Sequence, residues 1–278
     1  MTLTTSIQTR ARVRRSRSQS GSPRWILVGA EIAVPVVLLA AWWLASAGST
    51  NTFFPPLQTI LTRLGQLLQT PAFLGSVASS VGNLALSFVL ATLIGVILGC
   101  ALGLVRPLSW FAEPAIHFFR AIPPVALVPI FVSLIGFGNE TRVLSITLAA
   151  VFPILISTID GIRAGEPTME MVTRVYRLTP AERLFQVVLP AAGPRILSGM
   201  QVSLITAFVV MIASEMLGSS TGLGAATLLA QQSFAIPDMW AGILVLGIIG
   251  YAATAVFTLF RRRVLRWYIA SQQQEKNS

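Results

Sequence analysis

The side chains able to do bond chemistry are few and scattered along this chain. His117 is the one histidine and Cys100 the one cysteine. A tetrahedral zinc site needs four such ligands, and a single thiol forms no internal disulfide. One histidine assembles no convincing Ser/His/Asp set. No G-x-x-x-x-G-K-[ST] loop is present, the only lysine is Lys276, and the G-L-G-A-A-T at Gly222 lacks the strand and helix context of a nucleotide loop. Cys100 lies in a run of Gly, Leu and Ile and reads as a small residue packed at lipid depth. Catalysis on this chain is therefore not expected.

Binding chemistry is concentrated instead in a polar island, DGIRAGEPTMEMVTRVYRLTPAERLFQVVLP, from Asp160 to Pro190. Thr179-Pro180-Ala181-Glu182 is a helix start: the hydroxyl caps, proline suits the first helical position, and Glu182 reaches back to the Thr179 backbone. That helix is expected to end near Pro190. Pro167 opens a second short helix through about Tyr176, with Met169, Val172 and Tyr176 on one apolar face. The two make a bracket with its tip around Arg177, Leu178 and Thr179. Glu166, Glu170 and Glu182 disfavour a hairpin lying on anionic lipid, which attracts basic segments. A protein partner is the favoured reading.

The elements that hold this bracket must span a bilayer. Residues are 54% hydrophobic and 11% charged, against about a quarter charged in an ordinary soluble domain. The net charge of +10 forms no nucleic-acid reading surface, because the cations gather at the ends of apolar runs. Residues 1–24 are a Ser/Arg-rich tail expected to be disordered. The first span, Trp25–Ser46, has about the twenty residues a crossing needs; Ala45-Ser46-Ala47 resembles a signal cleavage site, but the run is longer than a signal core. Residues 47–75 form a loop with an amphipathic helix. A membrane core over 76–263 follows, with spans at Ser76–Val105, Phe118–Phe137, Thr141–Ile159, Ile196–Leu217 and Trp240–Phe260, a loop at 160–192, and a tail from 264 to 278. Pro123, Pro124 and Pro129 make the third span irregular, which membrane depth tolerates only beside protein or a water-lined cavity.

This is an all-α integral membrane protein of about six transmembrane helices with both termini cytoplasmic. Six crossings place eighteen of the 20 cations, Arg106 and Arg120 among them, on the cytoplasmic side. Only Arg63 and Arg142 fall outside, as the positive-inside rule requires.

Within the spans, Ser79, Asn83, Ser87, Ala91, Gly95, Gly99 and Gly103 recur every fourth position. Small residues let helices approach closely in lipid, so Gly95, Gly99 and Gly103 are expected to pack. The polar Asn83, Ser87, Gln201, Thr206 and Glu215 are candidates for lining a path. Glu31 and Glu215 are carboxyls in or near hydrocarbon, a functional flag by default; a hydrogen-bonded carboxyl holding loops together is the equal alternative for Glu215.

From about Phe54 to Trp267 the chain resembles the integral-membrane permease subunits of bacterial ATP-binding-cassette importers, of the nitrate/sulfonate/taurine/bicarbonate type. FFPP, FRAIPPVALVPIFVSLIGFGNET, RLFQVVLPAAGPRILSGMQVS, ASEMLGSSTGLG and AGILVLGIIGY carry the likeness. The family's cytoplasmic signature, E-A-A-x-x-x-G closed by Leu-Pro, falls on the polar island. Its acidic position is Met171, its alanines are Val172 and Thr173, and its glycine is Arg177; none of the four is kept. Arg174, Leu189 and Pro190 do fit.

The resemblance implies a coupling helix here, with Met171, Arg174, Arg177, Leu178, Thr179, Pro180 and Glu182 meeting the ATPase. It implies a second permease chain, identical or a sister, and two ATPase subunits carrying ATP and Mg²⁺, with no cofactor on this chain. It also implies an extracytoplasmic substrate-binding protein, a bacterial inner-membrane location, and a small anion such as a sulfonate, taurine or nitrate as substrate. The rival reading, a self-contained secondary transporter or channel, calls for an internal repeat and buried charges. No convincing repeat and very few buried charges are evident.

Overall fold

The computed structural model describes residues 24–165 and 167–268, and no strand occurs among them. The expected tail before residue 24, the chain beyond 268, Glu166, and the side chains of Glu31 and Glu170 lie outside the described residues. α1 (Arg24–Ser46) leads to the amphipathic α2 (Leu57–Leu67) and then to α3 (Pro71–Leu104). Ser46, inside the cleavage-like tripeptide, is fully buried, and its hydroxyl accepts the Leu57 N–H at 3.1 Å. α2 is tied down in turn by Arg63, whose guanidinium bonds Asp238. That hydrogen bond first, and then the carboxylate charge, raise the Arg63 pKa above its ordinary value.

The centre of the bundle is α6 (Asn139–Arg163), flanked by α3 and by α9 (Leu189–Gly218). The glycine ridge explains the first contact. A Cβ on Gly95 would stand 2.9 Å from Ile154, one on Gly99 2.5 Å from Thr158, and one on Gly103 3.0 Å from Ile162. The two helices therefore run in the same direction in four-residue register. α9 runs against them, with Ser203 Oγ donating to the Ala150 carbonyl at 2.7 Å. Ile146, Ala150, Ile154 and Met211 are fully buried between these helices. On the side of α3 away from its glycines, Leu86, Val89, Leu93 and Ile97 are exposed, an apolar face suited to lipid or another chain.

The segment expected as the third crossing differs from its expected bounds. It begins at α4 (Arg106–Ala121), breaks at Ile122–Pro123, and resumes as a 3₁₀ turn (Pro124–Leu127) and α5 (Val128–Ile135). The two limbs meet at 86°. Pro123 and Pro124 cannot donate to the turn before them, and Ile122 and Pro123 are extended (ψ 124° and 119°). The lower limb touches the end of α6, where Arg163 bonds both Ser109 and Glu113. Higher up, Phe119 stacks on Phe152 with ring centroids 6.5 Å apart.

Arg120, expected on the cytoplasmic side, is held level with the middle of α6 by the Phe119–Phe152 stack. The proline break ends α4 beside the midpoint of α6.

The remaining elements are α7 (Pro167–Val175), α8 (Pro180–Glu182) with a π-helical turn (Arg183–Val188) leading into α9, then α10 (Leu223–Gln232) and α11 (Ile236–Val264). Among the described residues, four helices are long and apolar enough to cross a membrane, and the bent pair makes a fifth crossing if its limbs count as one.

Candidate functional site

The bracket is closed at its tip by two local motifs. Tyr176 N–H bonds the Val172 carbonyl, Arg177 N–H that of Arg174, and Leu178 N–H that of Thr173, the last two at 3.1 Å. This is a Schellman ending to α7, with Arg177 in the left-handed position (φ 51°) where glycine is usual. That position is where the signature places its glycine. Two residues on, the capping box forms as expected: Thr179 N–H meets Glu182 Oε2 at 2.8 Å, and Glu182 N–H meets Thr179 Oγ1 at 3.3 Å.

The expected stop near Pro190 is a correction. The helix runs unbroken from Pro180 to Gly218. Pro190 has no N–H for the carbonyl four residues back and its ring crowds that turn. The wider π-helical turn over Arg183–Val188 lies directly before Leu189 and Pro190 and accommodates the missing bond.

The bracket exposes its apolar side chains. Met171 is 60%, Val175 78% and Tyr176 75% exposed. Arg174, Arg177, Thr179, Pro180 and Glu182 are also exposed, Leu178 is half-buried, and Thr173 is buried beneath them. All seven candidate coupling residues therefore sit on one protruding element.

The path candidates are dispersed. Ser87 is fully enclosed between α3 and α6, its hydroxyl donating to the Val143 carbonyl at 3.3 Å. Asn83 is 5% exposed. Gln201 accepts from Arg261 Nη1 at 2.7 Å, tying α9 to α11.

Glu215, 0% exposed, lines no open path in this conformation but caps a helix. Its Oε2 accepts Gly224 N–H at 2.8 Å and its Oε1 accepts the Ser80 hydroxyl at 2.7 Å. Ser80 Oγ in turn accepts Leu223 N–H at 2.8 Å. The first amides of α10 thus find acceptors inside the bundle, and the carboxylate sits at the favourable end of the α10 dipole. Arg142, 5% exposed, fastens the same turn, giving Nη1 to the Thr221 carbonyl at 2.9 Å and Nη2 to Asn139 at 3.0 Å.

Of the five, Thr206 borders a cavity of about 160 Å³ at the break between α4 and α5. Arg120, Phe119, Pro124, Ser145 and Phe152 line it with Thr206.

A family model described as "Binding-protein-dependent transport system inner membrane component" matches residues 91–268, well over half the chain. The chain belongs to that family. It is an inner-membrane permease of an ATP-binding-cassette importer, a transport component rather than an enzyme.

The permease is 29% identical over 238 residues to "Putative aliphatic sulfonates transport permease protein SsuC" of Bacillus subtilis (strain 168), covering 85% of this chain and 86% of that one. It is 28% identical over 255 residues to "Taurine transport system permease protein TauC" of Escherichia coli (strain K12), covering 88% and 93%. A third relative is "Bicarbonate transport system permease protein CmpB" of Synechococcus elongatus (strain ATCC 33912 / PCC 7942 / FACHB-805), 31% identical over 189 residues and 68% of each chain. Its fold matches a chain of the inward-facing MetNI methionine ABC transporter with TM-score 0.61 at 20% identity, covering 73% of the permease and 98% of that chain.

Sequence reasoning missed Ser80, α10 and the placement of Arg120 beside the middle of α6. The ridge read in strict steps of four selects Ser79, yet Ser80 is the buried one. Four residues overshoot a 3.6-residue turn by about 40°, so the inward face drifts one position over the length of α3. Spacing Ser80–Asn83–Ser87 was the available signal.

Proposed function

We propose that two copies of this permease, or this chain and a sister, form a gated path through the inner membrane for a small anion such as a sulfonate, taurine or nitrate. Six spans with both termini cytoplasmic are the intended topology. It is supported by the apolar α1 ahead of the four long spans and the bent pair, and by Arg261 at the end of α11 reaching Ser198 and Gln201 on the helix that leaves the bracket. A separate pair of ATPase subunits binds ATP and Mg²⁺ and grips the bracket. A substrate-binding protein delivers cargo from the other side. Closure of the ATPase pair turns the bracket, and the rigid Pro180–Gly218 helix carries that movement into the core beside α6. The bias between inward- and outward-open states arises because ATP favours one of them.

The observation that carries this reading is the exposed apolar set Met171, Val175 and Tyr176 on a bracket whose backbone is fixed by a Schellman ending and a capping box. Such a rigid apolar knuckle suits a protein cleft. Tagged permease purified from its own host should carry a soluble ATPase, and Tyr176→Asp should release it while membrane insertion stays intact. Purified permease that alone concentrates solute in liposomes would overturn the reading.

A further inference from the structure

Arg120 is a cation level with the middle of α6, with nothing among the described residues to neutralise it. Phe152 lies near the midpoint of α6, roughly 17–20 Å from either end at about 1.5 Å per residue. Phe119 stacks on it, planes 23° apart, and Arg120 is the next residue, in the last turn of α4. Its side chain is exposed. Among the described residues it has neither a hydrogen-bond nor an ion-pair partner. A bare charge facing hydrocarbon at that depth is expensive, and such residues face a bundle interior or a water-filled space. The cavity at the helix break is that space.

The walls define what fits. Of the residues around this cavity, Arg120 is the only charged one, and none is acidic. Ser145 spends its proton on the Thr141 carbonyl at 2.7 Å, and Thr206 spends its own on the Val202 carbonyl at 3.1 Å. The guanidinium is therefore the strong donor left, backed by Phe119, Phe152 and Pro124. About 160 Å³ admits an anion of a few heavy atoms with a short apolar arm. A cation finds no counter-charge, and a long solute finds no room.

We propose that this cavity is an anion subsite on the translocation path, in which Arg120 holds the charged head group and Phe119 and Phe152 wall its apolar part. The assignment rests on the importer reading above and names the contact that selects its cargo. Discontinuous helices at the midplane are where membrane transporters expose unpaired polar groups to solutes; here the group is a side chain placed by the Pro123–Pro124 break.

Thiol labelling tests the charge without knowledge of the cargo. Cys100→Ser removes the one native thiol. Thr206→Cys in that background places a thiol on the cavity wall. The complete transporter in proteoliposomes is then treated with methanethiosulfonate reagents carrying either a sulfonate or a trimethylammonium group. The sulfonate reagent should react faster, and Arg120→Gln should cut that preference about tenfold, the scale on which a local field concentrates a counter-ion. An unchanged preference without Arg120, or no labelling at Thr206→Cys, overturns the proposal.

Uptake of taurine, methanesulfonate and nitrate by the complete transporter forms the second arm. Arg120→Gln should lower it about tenfold or more, the effect of losing a charged hydrogen bond, and Arg120→Lys should restore part. Wild-type uptake by Arg120→Gln would also overturn the proposal. If the wild-type complex carries none of the three probes, the substrate class fails, and the labelling ratio still decides the subsite.

Discussion

Gly99 of α3 and Thr158 of α6 are packed so tightly that a Cβ on Gly99 would lie 2.5 Å from the Thr158 Cβ and 3.0 Å from the Leu155 carbonyl oxygen. Rotating Thr158 does not relieve the second contact, because it is backbone. Gly99→Leu should destabilise the bundle by about 1–3 kcal/mol or more through overpacking, and assembly should suffer rather than substrate affinity. The alanine series should rank by closeness, with Gly99→Ala worse than Gly95→Ala and Gly103→Ala least harmful. Thermal unfolding in detergent reads the order. Equal effects at the three sites would mean the helices separate freely, and normal assembly with altered selectivity would reassign Gly99 to the path.

Glu215 accepts from two polar groups on two other helices, so the two obvious substitutions should separate. Glu215→Ala leaves the Gly224 N–H without its acceptor and deprives Ser80 of its own, at about 1–3 kcal/mol for each unsatisfied group. Glu215→Gln keeps an oxygen for one of them and should lose less. Hydrogen exchange at the amides of Leu223 and Gly224 is the measurement, with protection falling in the order wild type, Gln, Ala. Unchanged protection in the alanine variant would remove the capping role.

Arg177 holds a left-handed conformation (φ 51°) that costs an ordinary residue about 1–2 kcal/mol. Arg177→Gly should therefore slow amide exchange in the bracket, the reverse of most substitutions. Binding of the ATPase should weaken at the same time if the guanidinium contacts it. Faster exchange in the glycine variant would show that the side chain, and not the backbone, fixes the tip.

At the next two positions the expected losses differ in size. Thr179→Ala removes the cap, costing about 1 kcal/mol locally, and transport should fall modestly. Leu178→Asp or Thr179→Lys places a charge on the tip and should abolish transport while insertion into the membrane is unchanged. Uptake assays beside a membrane-fraction blot distinguish the two. Wild-type uptake in the charged variants would move the docking surface elsewhere.

Much of this permease is legible in one dimension because lipid imposes simple rules. A crossing must be apolar for about twenty residues, small residues must recur where helices touch, and a capping box needs four residues in order. The spans, the Gly95–Gly99–Gly103 ridge and the Thr179–Glu182 cap follow from those rules without any long-range information. Long-range placement is another matter. Whether Pro190 stops a helix depends on the π-helical turn ahead of it. Whether Glu215 faces a path or caps α10 depends on Ser80, 135 positions away in the chain. Whether Arg120 lies beyond the bundle or level with the middle of α6 depends on where the proline break falls against Phe152. Local sequence settles which backbone conformations are cheap; only the packing of separate helices settles what each buried or half-buried polar atom finds opposite it.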